Sequence, residues 1–150
     1  MKHIARLVCL LILLTIFIPA GACIFCSTPV AENPAFPSYL KGWGVSGHNG
    51  MDNLAFLVLK KGEESNNGKI AVKLMDILPP QRCAEPNSFF GHVRVNLQIY
   101  NLSNPSQKCD LTGLLHREYR PIKCPFISDV SAIHTDEINM YEGWAAFYVQ

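Results

Sequence analysis

The stretch Gly91–Ser103, GHVRVNLQIYNLS, decides the fold class. Val93, Val95, Leu97 and Ile99 alternate with Arg94, Asn96, Gln98 and Tyr100. A strand points successive side chains to opposite faces, so this period of two describes a strand with one dry face and one wet face. Such a strand belongs at or near the centre of a sheet. The run ends in Asn101-Leu102-Ser103, an N-glycosylation acceptor if the chain passes through a eukaryotic secretory pathway.

Other runs of strand character lie on both sides of it. Asn53–Lys60, NLAFLVLK, is almost continuously apolar, as a strand buried on both faces is. Lys69–Leu78 follows a polar stretch ending in Asn67-Gly68 and places Ile70, Val72 and Leu74 on one face, so the two runs are expected to form a hairpin. Asn104-Pro105-Ser106 reads as a turn, and Cys109–Leu115 as a short strand or a helical turn. In Ile127–Met140, Ile127, Val130, Ile133 and Tyr141 roughly fit a helical period with Ser128 as N-cap, Val130, Ala132 and His134 fit alternation about as well, and a short helix or turn is expected. Gly143–Gln150, GWAAFYVQ, reads as a last strand. The expected fold is all-β: a two-layer antiparallel sandwich or partly open barrel of five to seven strands, with at most one short helix, stabilised by disulfides.

Residues 1–22 read as a signal peptide. Lys2, His3 and Arg6 precede the apolar run Leu7–Ile18, Pro19 breaks it, and Ala20-Gly21-Ala22 is a cleavage site. Twelve apolar residues fall short of the roughly 20 that span a bilayer. Residues 23–150 are then a single secreted β-rich domain with no transmembrane span. In a bacterial source, Ala20-Gly21-Ala22-Cys23 would be a loose lipobox, with Cys23 as a lipid anchor. The precursor carries +1; removing Lys2 and Arg6 leaves eleven basic against twelve acidic residues, a formal charge of −1. That balance argues against general nucleic-acid binding and against strong attraction to anionic membranes.

Five cysteines remain after cleavage: Cys23, Cys26, Cys83, Cys109 and Cys124. An oxidising compartment favours two disulfides and one odd sulfur. A Cys109–Cys124 bridge would close a short loop, but the sequence does not select among the pairings.

The chemical motifs do not survive their context. Gly42-Trp43-Gly44-Val45-Ser46-Gly47 matches G-x-G-x-x-G, but it follows a proline-rich arm rather than a strand and leads into Asn49-Gly50 rather than a helix, so no dinucleotide cofactor is expected. Ser46 with His48 falls one glycine short of a nucleophile elbow. Cys23-Ile24-Phe25-Cys26 lacks the βαβ context of redox exchange, and Cys83, Cys109 and Cys124 are too widely spaced to complete a zinc site. The basic group His116, Arg117, Arg120 and Lys123 is interleaved with Glu118 and reads first as a solvated face.

No family is recognised. Cys124-Pro125-Phe126 resembles a Cys-Pro-apolar step of MD-2-related lipid-recognition domains, but that family's six-cysteine framework is not matched and no residue role is taken from it. Cys26, Trp43 and Cys83 echo the Cys…Trp…Cys spacing of immunoglobulin-like modules, but the proline-rich first segment makes a poor strand.

Function is therefore expected from surfaces. Cys23–Leu40 is punctuated by Pro29, Pro34 and Pro37 yet carries Ile24, Phe25, Val30, Phe36, Tyr39 and Leu40. It reads as an arm laid across the core by its own side chains, or as an apolar patch that meets a partner. The first expectation is a non-enzymatic extracellular binding module for a protein, glycan or lipid, with Phe36, Tyr39, Trp43 and His48 as the candidate surface. Two alternatives stand beside it. One is a small secreted hydrolase using His134 with Asp136, Glu137 or Glu142; the other is a structural component linked through the odd cysteine. A cavity between the sheets would favour lipid carriage, and a solid core with an exposed arm would favour protein or glycan binding.

Overall fold

The fold is that of a computed structural model, which describes residues 33–39, 41–45, 55–80 and 92–150. The signal segment, Cys23, Cys26, Ser46, His48 and Cys83 lie outside the described residues. Among the described residues nine strands run in chain order: β1 Gly42–Trp43, β2 Ala55–Lys60, β3 Glu64–Asn66, β4 Ile70–Leu78, β5 Arg94–Asn101, β6 Asn104–Leu115, β7 Tyr119–Pro121, β8 Ala132–Asn139 and β9 Trp144–Val149. They form two antiparallel sheets, a five-stranded one of order β1-β2-β9-β8-β7 and a four-stranded one of order β3-β4-β5-β6. No helix occurs among the described residues.

The two sheets share one core, in a sandwich-like arrangement. β5 supplies Val95, Leu97 and Ile99 and β4 supplies Ile70, Val72 and Leu74 from one side. Ala55, Leu57 and Leu59 of β2, Ile133 and Ile138 of β8, and Ala145, Phe147 and Val149 of β9 meet them from the other. β5 lies between β4 and β6 and alternates buried with half-buried residues along its length, as its sequence period requires. β2 and β9 are central in the other sheet, and all six residues of β9 are buried. Cys109 on β6 bonds to Cys124 beyond β7, with 6.1 Å between Cα atoms, so the disulfide joins the edge of one sheet to the segment that follows an edge strand of the other. Closing a 15-residue separation stabilises by about 3 kcal/mol in the chain-entropy account.

Several expectations are corrected. Nine strands among the described residues replace five to seven, because β1, β3 and β7 are two or three residues long and carry too little pattern to read. β2 and β4 are not a hairpin: the polar stretch between them contains β3, which pairs with β4, while β2 pairs with β1 and β9 in the other sheet. The turn lies at Leu102-Ser103, since Asn101 already pairs with Asn104, and Asn104-Pro105-Ser106 opens the twelve-residue β6. Pro105 is tolerated there because β6 is an edge strand.

The helix expected within 127–140 is strand β8. Its register against β9 shifts between Thr135 and Glu137, which makes Asp136 the extra residue of a bulge. The inward positions are therefore Ile133, Thr135 and Ile138, a spacing that breaks the period of two, while Ile127 and Val130, buried in the same core just before the strand, stand at three-residue spacing from Ile133 and imitate a helix.

Thr135 is fully buried in this core, and among the described residues its Oγ1 has no hydrogen-bond partner. A buried unpaired hydroxyl costs about 1–3 kcal/mol. Thr135→Val, which keeps the shape, is expected to leave the urea midpoint unchanged or raise it. Phe147→Ala, at the centre of the same core, is expected to cost about 3–5 kcal/mol in the same titration.

Candidate functional site

The outer face of the five-stranded sheet is aromatic. Pairing places Phe56, Tyr148, His134 and Tyr119 in one row across β2, β9, β8 and β7. Val58, Ala146 and Glu137 form the next row, and Lys60, Trp144 and Asn139 the one after. Phe56, Trp144, Ala146 and Tyr148 are buried as a second apolar cluster, separate from the core between the sheets, with Val58 packed against them. Their cover is residues 33–39 of the proline-rich arm.

The arm is held by rings and hydrogen bonds. The Phe36 ring meets Trp144 edge-on at 5.4 Å, and Tyr39 stacks on Phe56 at 4.8 Å. Phe56 continues to Tyr148 at 4.7 Å, and Tyr148 to His134 at 5.9 Å, so four rings run side by side across the sheet. Such aromatic pairs add about 0.5–1.5 kcal/mol each beyond the area they bury. Lys41 Nζ sits 4.8 Å over the Phe36 ring, a cation–π contact.

Asn139 is the polar anchor and is fully buried. Its Nδ2 donates to Asn33 Oδ1 at 2.8 Å and to the Pro34 carbonyl at 3.0 Å. Its Oδ1 accepts from the backbone N–H of Tyr141 and of Glu142 at 3.0 and 2.9 Å. One side chain thus uses its whole hydrogen-bonding capacity to tie the arm to the β8–β9 turn. Gly143, at φ 73°, closes that turn in a conformation that favours glycine.

Asp136 is the second anchor: Tyr39 donates its hydroxyl proton to Oδ2 at 2.6 Å. Burial, and then the hydrogen bond to Asp136, push the Tyr39 hydroxyl well above the usual phenol range. Tyr148 shifts the same way, from burial first and from the Asp136 charge second.

Of the candidate surface residues, Phe36 and Tyr39 come together on this face and remain 47% and 40% exposed. Trp43 does not join them. It packs against the core between the sheets, and its Nε1 donates to Ser65 Oγ at 3.0 Å. The hydrolase candidates are spread over structural contacts. His134 stacks on Tyr148, Asp136 holds Tyr39, and Glu142 Oε2 accepts from Trp144 Nε1 at 2.9 Å. Glu137 lies 3.2 Å from His116 Nε2 and 3.6 Å from an Arg117 nitrogen. Arg120 is drawn onto Glu118 at 2.6 Å and also donates to the Thr112 carbonyl. Three of the four members of the basic group, His116, Arg117 and Arg120, thus lie against acidic neighbours. Among the described residues no three His, Cys, Asp or Glu side chains cluster as a metal site would, and no helix is long and apolar enough to cross a membrane.

Tyr119, 53% exposed, stands at the β7 edge of this face beside His134, and Tyr141, 65% exposed, belongs to the β8–β9 turn that Asn139 ties to the arm. The sequence reading missed them, along with the anchoring role of Asn139. The signal it did contain was the absence of a polar face on β9, which demands cover on both sides of the sheet. No known protein family matches the chain, and comparisons with curated proteins and with solved structures likewise find no match.

Two outcomes follow from the anchors. A phenol whose folded pKa is raised contributes stability that is complete below its unfolded value near 10 and is lost as pH climbs above it. Stability of the native chain should therefore fall more steeply above about pH 10 than that of Tyr39→Phe, measured by denaturant midpoints across an alkaline series. Asn139→Asp keeps the acceptors for the turn but removes the donor that holds Asn33 and Pro34. Limited proteolysis should then cut within residues 33–41 at least about tenfold faster than in the native chain, the counterpart of roughly 1.4 kcal/mol lost from arm docking.

Proposed function

We propose that the chain is a non-enzymatic extracellular binding module. Its recognition surface is the arm-covered outer face of the five-stranded sheet. The observation that carries this reading is the concentration there of half-exposed rings, Phe36, Tyr39 and Tyr119, over a fixed aromatic layer, with Tyr141 exposed in the adjoining β8–β9 turn. Aromatic side chains held rigidly at a surface provide large contact area at little entropic cost, which is why they are enriched in recognition surfaces. Lys41 and Asp136 place one charge of each sign among these rings.

A protein or glycan suits this surface better than a carried lipid. Val72, Leu74, Val95, Ile99, Leu114, Ile133 and Phe147 have no surface open to a water-sized sphere, so neither solvent nor an internal void of that size touches them. A lipid carrier needs such a void in its core. Secretion is supported by the amino-terminal segment and by the Cys109–Cys124 disulfide, which an oxidising compartment preserves.

The test is binding by the secreted chain to a glycan array and to intact cells, with Tyr119→Ala and Tyr141→Ala as probes. Both residues are largely exposed, so truncation should leave the melting temperature unchanged while weakening binding at least tenfold, about 1.4 kcal/mol. Binding that survives both substitutions, or no binding to either target, contradicts the reading.

A further inference from the structure

At one end of the four-stranded sheet, the β5–β6 turn faces the loop that leads into β8. Between them lies a cleft of about 280 Å³ lined by Gly68, Lys69, Asn101, Ser103, Phe126 and Asp129, among others. Three features converge on it. Asn101-Leu102-Ser103 is the one N-x-[ST] triplet without proline in the chain, because Asn104-Pro105-Ser106 carries proline at its middle position. Asn101 Oδ1 accepts from both the backbone N–H and the hydroxyl of Ser103, at 3.0 and 2.7 Å, while its Nδ2 has no hydrogen-bond partner among the described residues. Phe126, on the same cleft, leaves 53% of its surface exposed, so its ring is open to a partner there.

We propose that Asn101 carries an N-linked glycan whose first sugar is seated in this cleft against the Phe126 ring. The acetamido sugar that begins such a glycan has one apolar face of C–H groups, which suits an aromatic ring, and an amide and hydroxyls, which suit Lys69, Ser103 and Asp129. Attachment forms a bond from Asn101 Nδ2 to the anomeric carbon of a sugar donated by a polyprenyl-pyrophosphate carrier. The bond from that carbon to the pyrophosphate oxygen breaks, the carrier leaves with its electron pair, and the amide nitrogen releases one proton to solvent. Transfer acts on the newly exported chain; the fold's part is to accommodate the substituted Nδ2, which no hydrogen bond among the described residues engages, at a hairpin turn and to supply the seat. The inference does not depend on the binding face, which lies on the other sheet.

The experiment expresses the full chain in a eukaryotic secretory host and compares intact mass before and after peptide N-glycosidase treatment. The native chain should lose one glycan mass, and Asn101→Gln and Ser103→Ala should show no change. Phe126→Ala should then lower the melting temperature of the glycosylated chain by about 2–4 °C yet leave that of the Asn101→Gln chain within about 0.5 °C, and Phe126→Tyr should keep the native value. An unglycosylated native chain, or a glycan that persists in Asn101→Gln, overturns the site. An equal shift in both backgrounds, or none in either, overturns the seat.

Discussion

Strand β9 has no polar face. Trp144, Ala145, Ala146, Phe147, Tyr148 and Val149 are all buried, and its neighbour β2 is nearly as apolar on both sides. A sheet usually turns one such face to a core and the other to water. Here both must be covered. The inner cover is the four-stranded sheet, whose Val72, Leu74, Leu97 and Ile99 meet Phe147 and Val149 in one core. The outer cover is the arm around Phe36 and Tyr39, which places rings on Trp144 and Phe56.

This second cover explains the polar residues around it. A proline-rich arm cannot add a regular strand, because each proline lacks an N–H for the ladder. It is held by side chains instead, and the sheet supplies them from two positions near the end of β8. The bulge at Asp136 frees a carboxylate for the Tyr39 hydroxyl, and Asn139 reaches Asn33 and Pro34. Covering with an arm leaves its rings half open, and those open rings form the proposed recognition surface.

How much was legible in the sequence depends on how local each signal is. β5 could be read from alternation alone, and β2 and β9 from runs without polar interruption. The arm could be read from apolar residues set among prolines. Sheet membership could not: only the short β3 separates β2 from β4 in the chain, and long-range pairing with β9 takes β2 into the other sheet. β8 was disguised by its own bulge, which moves Ile138 out of step with Ile133 and Thr135. In the candidate surface, Phe36 and Tyr39 were recognisable as apolar residues in an exposed setting. Trp43 has the same composition signal and faces the opposite way, because pairing with Ala55 puts it on the inner side of β1.

The central claim is that the arm is a docked layer of the fold and not a tail beside it. The most direct measurement is the pattern of nuclear Overhauser contacts between ring protons in the secreted chain. Contacts from Phe36 to Trp144 and from Tyr39 to Phe56, with ring-shifted resonances for the arm, are the predicted result. Random-coil shifts for Phe36 and Tyr39 with no contacts to the sheet would contradict it.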